Sequence, residues 1–178
     1  NEKLVFKKSF FIFLIGFMGV GKSTISQALK QMRGGQARCV EMDQVIVEQQ
    51  GMSIAQIFEE KGEAYFRQLE TNLLLGLEKE SGAIVSCGGG VVMREENVAS
   101  MKKNGTIVLL TATPETIYER VKDSTERPVL NGNMNVGYIE ELMEKRRPKY
   151  EAAADVTIAT DGKTSEEICE EILVICGK

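Results

Sequence analysis

Eight consecutive residues near the start of the chain, Gly16-Phe17-Met18-Gly19-Val20-Gly21-Lys22-Ser23, match the pattern G-x-x-x-x-G-K-[ST], and Thr24 follows directly. Glycines at these positions let the backbone curl into a nest of N–H groups around a phosphate, and a helix beginning there aims its positive end at the same point. In such a loop Gly19, Val20, Gly21 and Thr24 belong to the phosphate-binding run, Lys22 reaches the β- and γ-phosphates, and Ser23 ligates Mg²⁺. The flanks agree: an apolar run precedes the loop, and Ile25, Ala28, Leu29 and Met32 recur after it at i, i+3, i+4 and i+7. Binding of a nucleoside triphosphate is the chemistry to which these residues point.

A second glycine cluster, Gly88-Gly89-Gly90, follows an apolar run ending at Ser86 and so falls at the carboxyl end of a strand, where open α/β sheets bind ligands. Three glycines admit a small ligand close to the backbone, and equally suit a tight turn into the next helix. Asp43, just past another such run, would lie on the same rim; its carboxylate could take a proton from an attacking hydroxyl, or cap a helix. Arg67 and Arg146 offer planar guanidinium groups for a substrate carboxylate, although an arginine taken alone more often decorates a solvated surface.

The elements that must hold these residues are legible as alternating patterns. Phe10 to Ile15, Arg38 to Met42, Ala83 to Ser86, Thr106 to Leu110 and Val156 to Ala159 read as strands, with helix-period stretches between them. That alternation predicts a three-layer α/β/α unit, a five-stranded parallel sheet covered on both faces, in one domain of 178 residues. Helix starts are marked by Ser53 with Gln56, Thr113 before Pro114, and Thr164 with Glu167. A helix from about Glu63 to Glu80 carries Phe66, Leu69, Leu73 and Leu77 on one side, with Arg67 and Glu70 together on another. Asp123 to Gly137, rich in Asn and Gly around Pro128, reads as a mobile loop within the domain.

Composition narrows the chemistry. There is no histidine, which removes His-based triads, imidazole metal ligands and His proton shuttles. With 22 Lys+Arg against 26 Asp+Glu the net charge is −4, so no overall positive field draws in nucleic acid or an anionic membrane. Cys39, Cys87, Cys169 and Cys176 form no C-x-x-C pair; Cys169 and Cys176 stand about 10 Å apart along a helix, beyond disulfide reach. Reduced thiols in a cytoplasmic protein are expected. Lys7 and Lys8 before an apolar run imitate a signal peptide, but no small-residue cleavage site follows.

Taken together these motifs resemble the shikimate kinase family, from Phe11 to about Ile172, in the family's order and spacing. Gly16 to Thr24 looks like its phosphate loop, Glu41-Met42-Asp43 occupies the place of its Asp-x-Asp, and Phe66-Arg67-x-x-Glu70 is similar to its F-R-x-x-E. Gly88 to Gly90 corresponds to its substrate-lining glycines, Arg127-Pro128-Val129-Leu130 to its lid motif, and Arg146-x-Pro148-x-Tyr150 to its second carboxylate-binding segment.

The resemblance implies an ATP-dependent, Mg²⁺-using kinase acting on the 3-hydroxyl of shikimate, with Lys22, Asp43 and Arg127 in catalysis. It implies shikimate held by Asp43, Arg67, Gly88 to Gly90 and Arg146 in a segment of approximately 43–80 and its neighbours. It further implies a lid of approximately 123–137, Arg127 and Lys163 near the nucleotide, and Ser23 with Glu41 toward the metal. A monomer is expected, with no nucleic-acid or membrane partner. Two departures stand out: Glu41 replaces the family's first Asp, lengthening an acid that acts on Mg²⁺ through water, and Lys149 replaces an apolar residue. A kinase for another polyol acid such as gluconate, or a nucleotide-binding protein without catalysis, are the alternative readings.

Overall fold

The computed structural model describes residues 10–33, 35, 37–123 and 135–176. Five strands form one parallel sheet: β1 (Phe11–Ile15), β2 (Cys39–Glu41), β3 (Ile84–Ser86), β4 (Gly105–Thr111) and β5 (Val156–Ala159), in the spatial order β2-β3-β1-β4-β5. All five β1 positions are buried, so both faces of the central strand are covered, as a parallel sheet requires. In register, Leu14 lies opposite Ser86, and Ser86 opposite Glu41, so the carboxyl ends of β1, β3 and β2 form one level rim.

Between the strands run α1 (Lys22–Met32), α2 (Met42–Gln50), α3 (Ile54–Lys61), α4 (Glu63–Leu77), α5 (Glu95–Asn104), α6 (Pro114–Val121), α7 (Val136–Ala153) and α8 (Ser165–Cys176), with a 3₁₀ turn at Val91–Met93. The caps follow from sequence chemistry. Ser53 and Gln56 form a reciprocal capping box, Thr113 accepts from the Thr116 amide with Pro114 next to it, and Thr164 exchanges hydrogen bonds with Glu167. Asn135 caps α7 by accepting from the Tyr138 amide, so Gly137, read as the end of a loop, already lies in the helix. Most of that stretch, with Arg127, lies outside the described residues.

Two helix faces differ from their periodicity. Met32 is 43% exposed at the end of α1, and the buried positions of that helix are Ile25, Ser26 and Leu29. On α4 the side bearing Glu70, Thr71 and Leu74 is as buried as the side bearing Phe66 and Leu77. The helix is wedged between a small cluster of Ile46, Ile57 and Phe66 and the main core, so a polar side chain on its second face must be satisfied inside the protein. All four cysteines are free thiols, Cys87 and Cys169 buried, Cys39 and Cys176 partly so. No described helix is long and apolar enough to cross a membrane.

Candidate active site

The phosphate loop occupies the turn from β1 into α1. Gly16, Gly19 and Gly21 have φ of 148°, 81° and 100°, conformations that other residues rarely adopt, and Gly21 is the left-handed residue from which α1 starts. Lys22 folds back over the loop and donates to the carbonyls of Gly16 (2.6 Å) and Phe17 (3.2 Å), which places its ammonium over the concave backbone. Arg120, on α6, donates to the Gly19 carbonyl at 2.9 Å and adds a second cation to the loop's edge. Its sequence neighbourhood carries no motif, so only the tertiary contact reveals it.

Ser23 and Glu41 meet at the rim. Ser23 Oγ donates to Glu41 Oε2 at 2.8 Å and lies 3.5 Å from Ser86 Oγ. The other oxygen of that carboxylate, Oε1, is buried and accepts no hydrogen bond from the protein. A hydroxyl whose proton is turned onto a carboxylate has its lone pairs left for a hard cation, and an orphaned carboxylate oxygen beside it suits a metal-bound water. No cluster of three His, Cys, Asp or Glu able to hold a metal occurs among the described residues. The residues therefore fit Mg²⁺.

Asp43 sits in the first turn of α2, while Glu41 occupies the N-cap position without a capping hydrogen bond. That removes the helix cap as the explanation for Asp43. A methyl group built on Gly88 would stand 3.1 Å from Asp43 Oδ1 and 2.4 Å from Glu70 Oε2, so both carboxylates converge on the bare Cα of that glycine. The same construction on Gly90 meets the Arg67 guanidinium at 2.4 to 2.6 Å, and on Gly89 meets Arg146 Nη1 at 3.3 Å, Met18 N at 3.7 Å and Gly16 O at 3.8 Å. The glycine turn is thus the point where α2, α4, α7 and the phosphate loop come together, and a side chain at Gly88 or Gly90 would press on the charged groups gathered there.

Arg67 is held by Glu70 (2.8 Å) and Glu63 (3.2 Å) and lies over the rings of Phe66 and Phe58. Burial works against its charge, but Glu70 and Glu63 outweigh burial and raise its pKa. Glu70 is fully buried; desolvation raises its pKa against the opposing pull of Arg67, and its Oε2 has no hydrogen-bond partner. A carboxyl whose folded pKa lies above its unfolded value loses stability as pH rises through that interval, so Glu70 is kept at a cost to the fold. Arg146 lies over the Phe17 ring at 5.7 Å, and Tyr150, 5% exposed, donates its hydroxyl to the Gly89 carbonyl. Behind the turn, Asn97 donates to the Val91 carbonyl (2.9 Å) and accepts from Thr71 (2.8 Å), fixing the 3₁₀ turn against α4.

The structure therefore brings together Lys22, Ser23, Glu41, Asp43, Arg67, Gly88, Gly89, Gly90 and Arg146, and adds Glu70, Arg120 and Tyr150. The i, i+3 spacing of Arg67 and Glu70 was the signal for Glu70, but its burial was invisible in the sequence. Lys163 stands in the loop after β5 with its ammonium on Glu171 of α8 at 3.0 to 3.2 Å.

Comparison with known proteins gives this arrangement a kinship. Residues 18–176 match the sequence profile of the family described as shikimate kinase. A shikimate kinase of Dehalococcoides mccartyi is 44% identical over 161 residues, covering 90% of each chain, and one of Persephonella marina is 44% identical over 162 residues, covering 91% of this chain and 96% of its own. The solved shikimate kinase from Acinetobacter baumannii in complex with shikimate superposes with a TM-score of 0.88 at 28% identity, covering 97% of this chain and 95% of its own. Identity of this order over nine-tenths of the chain goes beyond a shared fold, and the chain belongs to the shikimate kinase family.

Proposed function

We propose that the protein transfers the γ-phosphoryl group of ATP to the 3-hydroxyl of shikimate, giving shikimate 3-phosphate and ADP. The observation that carries this reading is the meeting of the arginine-lined glycine turn with the phosphate loop at Gly89, which sets an acceptor site beside a donor site. Arg67 and Arg146 approach the turn at Gly90 and Gly89, and two guanidinium groups suit the carboxylate of shikimate. Asp43 faces the same turn at Gly88 and accepts the proton of the attacking hydroxyl. Lys22 neutralises charge on the transferring phosphoryl group, and Arg127, which lies outside the described residues, is the second cation we assign to that group.

Mg²⁺, when bound, screens the phosphate oxygens and aligns them. Ser23 would hold it directly and Glu41 through water. Gluconate and other polyol acids carry the same carboxylate, so a substrate panel decides among them. ADP release that depends on shikimate, and not on gluconate, supports the assignment. Release indifferent to shikimate overturns it, and release with no acceptor at all favours a plain nucleotide hydrolase.

Two results should follow from the geometry. Gly90 has φ −103°, which alanine tolerates, so Gly90→Ala acts through space alone by pushing a methyl group onto the Arg67 guanidinium. Its shikimate KM should rise by about tenfold, a change of about 1.4 kcal/mol, with ATP KM little altered. An unchanged shikimate KM would show that Arg67 shifts aside freely. Glu41→Asp should stay active with at most a modest change in Mg²⁺ requirement, because a water shell absorbs a methylene's shift. Glu41→Ala should demand markedly more Mg²⁺ and lose kcat. A Mg²⁺ titration of the alanine variant that overlays the wild-type curve would remove Glu41 from the metal site.

A further inference from the structure

Tyr150 enters neither phosphate binding nor the acceptor chemistry, yet its hydroxyl occupies a junction of the acceptor site. The side chain is 5% exposed, and its hydroxyl donates to the carbonyl of Gly89. On the same helix, one turn earlier, Arg146 stands on the same face, close enough for its charge to act on the phenol. Arg146 itself lies over Phe17 of the phosphate loop. A methyl group built on Gly89 would meet Arg146 Nη1 at 3.3 Å and the backbone of that loop at 3.7 to 3.8 Å.

A trans peptide carries its C=O and N–H on opposite sides, so pinning the Gly89 carbonyl also fixes the direction of the Gly90 amide. A glycine run has no side chain of its own to restrain it and would otherwise sample many orientations. An arginine has a long flexible stem, and a partner that holds its head in place reduces the ordering needed when an anion binds.

We infer that Tyr150 is a positioning residue for the shikimate site: its hydroxyl sets the Gly89–Gly90 peptide, beside which the Arg146 guanidinium lies, in one arrangement before substrate arrives. The inference rests on shikimate being the acceptor held at Arg146. It assigns to Tyr150 no contact with the substrate and no part in proton transfer.

The test is Tyr150→Phe, which removes one oxygen and keeps the ring in the core, measured alone and combined with Arg146→Ala. The single variant should show shikimate KM, and shikimate Kd by calorimetry, raised about tenfold or more, with ATP KM within about twofold of wild type. Its melting temperature should stay near that of wild type. In the Arg146→Ala background the same change should add a clearly smaller factor, because the guanidinium that works beside the set peptide has gone. Unchanged shikimate KM overturns the inference. So does a parallel loss of affinity for ATP and shikimate with lowered melting temperature, which describes general loosening, and so does a full multiplicative effect in the double variant. Wild-type enzyme that ignores shikimate would strike the functional reading instead, and that control is read first.

Discussion

Lys22→Met should fold, bind shikimate with nearly wild-type affinity, and transfer phosphate slower by a factor of about 10³ or more. The methionine side chain matches the lysine stem in length, and the position is partly exposed at the head of α1, so the core is not disturbed. What disappears is the ammonium that sits 2.6 Å from the Gly16 carbonyl, above the concavity of the phosphate loop. Phosphoryl transfer requires little covalent chemistry from the protein and depends on positioning and charge neutralisation, so a missing cation at the transferring group falls on kcat. ADP release coupled to a spectroscopic readout measures the rate, and calorimetry with shikimate checks that the acceptor site is intact. Residual turnover within about tenfold of wild type would contradict the role given to Lys22.

The second large effect is expected at Asp43. Asp43→Asn keeps the shape of the side chain and its fit against Gly88, but an amide accepts no proton from the attacking hydroxyl. The kcat should fall by about 10² or more, with shikimate KM altered by a few-fold at most. A rate close to wild type would mean that the hydroxyl loses its proton directly to the phosphoryl group or to water, leaving Asp43 to orient the acceptor only.

How far the sequence discloses this site depends on how local each signal is. The phosphate loop is written in eight adjacent residues, and the flanking strand and helix carry their own periods, so the turn from β1 to α1 is legible without tertiary information. The capping residues Ser53, Thr113 and Thr164 announce helix starts through chemistry confined to four positions. Asp43, Arg67 and Arg146 are different: 24 and 79 residues separate neighbours in that set, and only the sheet order brings their elements to one rim.

The residues that sequence reasoning passed over share a cause. Glu70 is legible beside Arg67 on a second side of its helix, but that α4 is enclosed on both sides and the carboxylate fully buried is not. Tyr150 was visible as part of a motif, but its bond to Gly89 spans 61 positions. Arg120 reaches the Gly19 carbonyl across 101. Met32 went the other way: it is the last residue of α1 and is 43% exposed although its spacing continues the apolar side. The glycine turn could be read as a turn or as a ligand surface; a methyl group at Gly88 would press on the Glu70 carboxylate and one at Gly90 on the Arg67 guanidinium, so a side chain at either position would displace groups that line the site.

One feature of the sheet bears on how such an enzyme can change. The phosphate loop leaves β1 and the glycine turn leaves β3, and these strands are hydrogen-bonded neighbours, about 4.8 Å apart by the spacing common to all sheets. The main chain therefore acts as a ruler between the donor and the acceptor, and no side chain sets its length. The helices α2, α3 and α4 hang from the outer side of that ruler, between β2 and β3, and can be redrawn for a different alcohol while the gap that the phosphoryl group crosses stays the same.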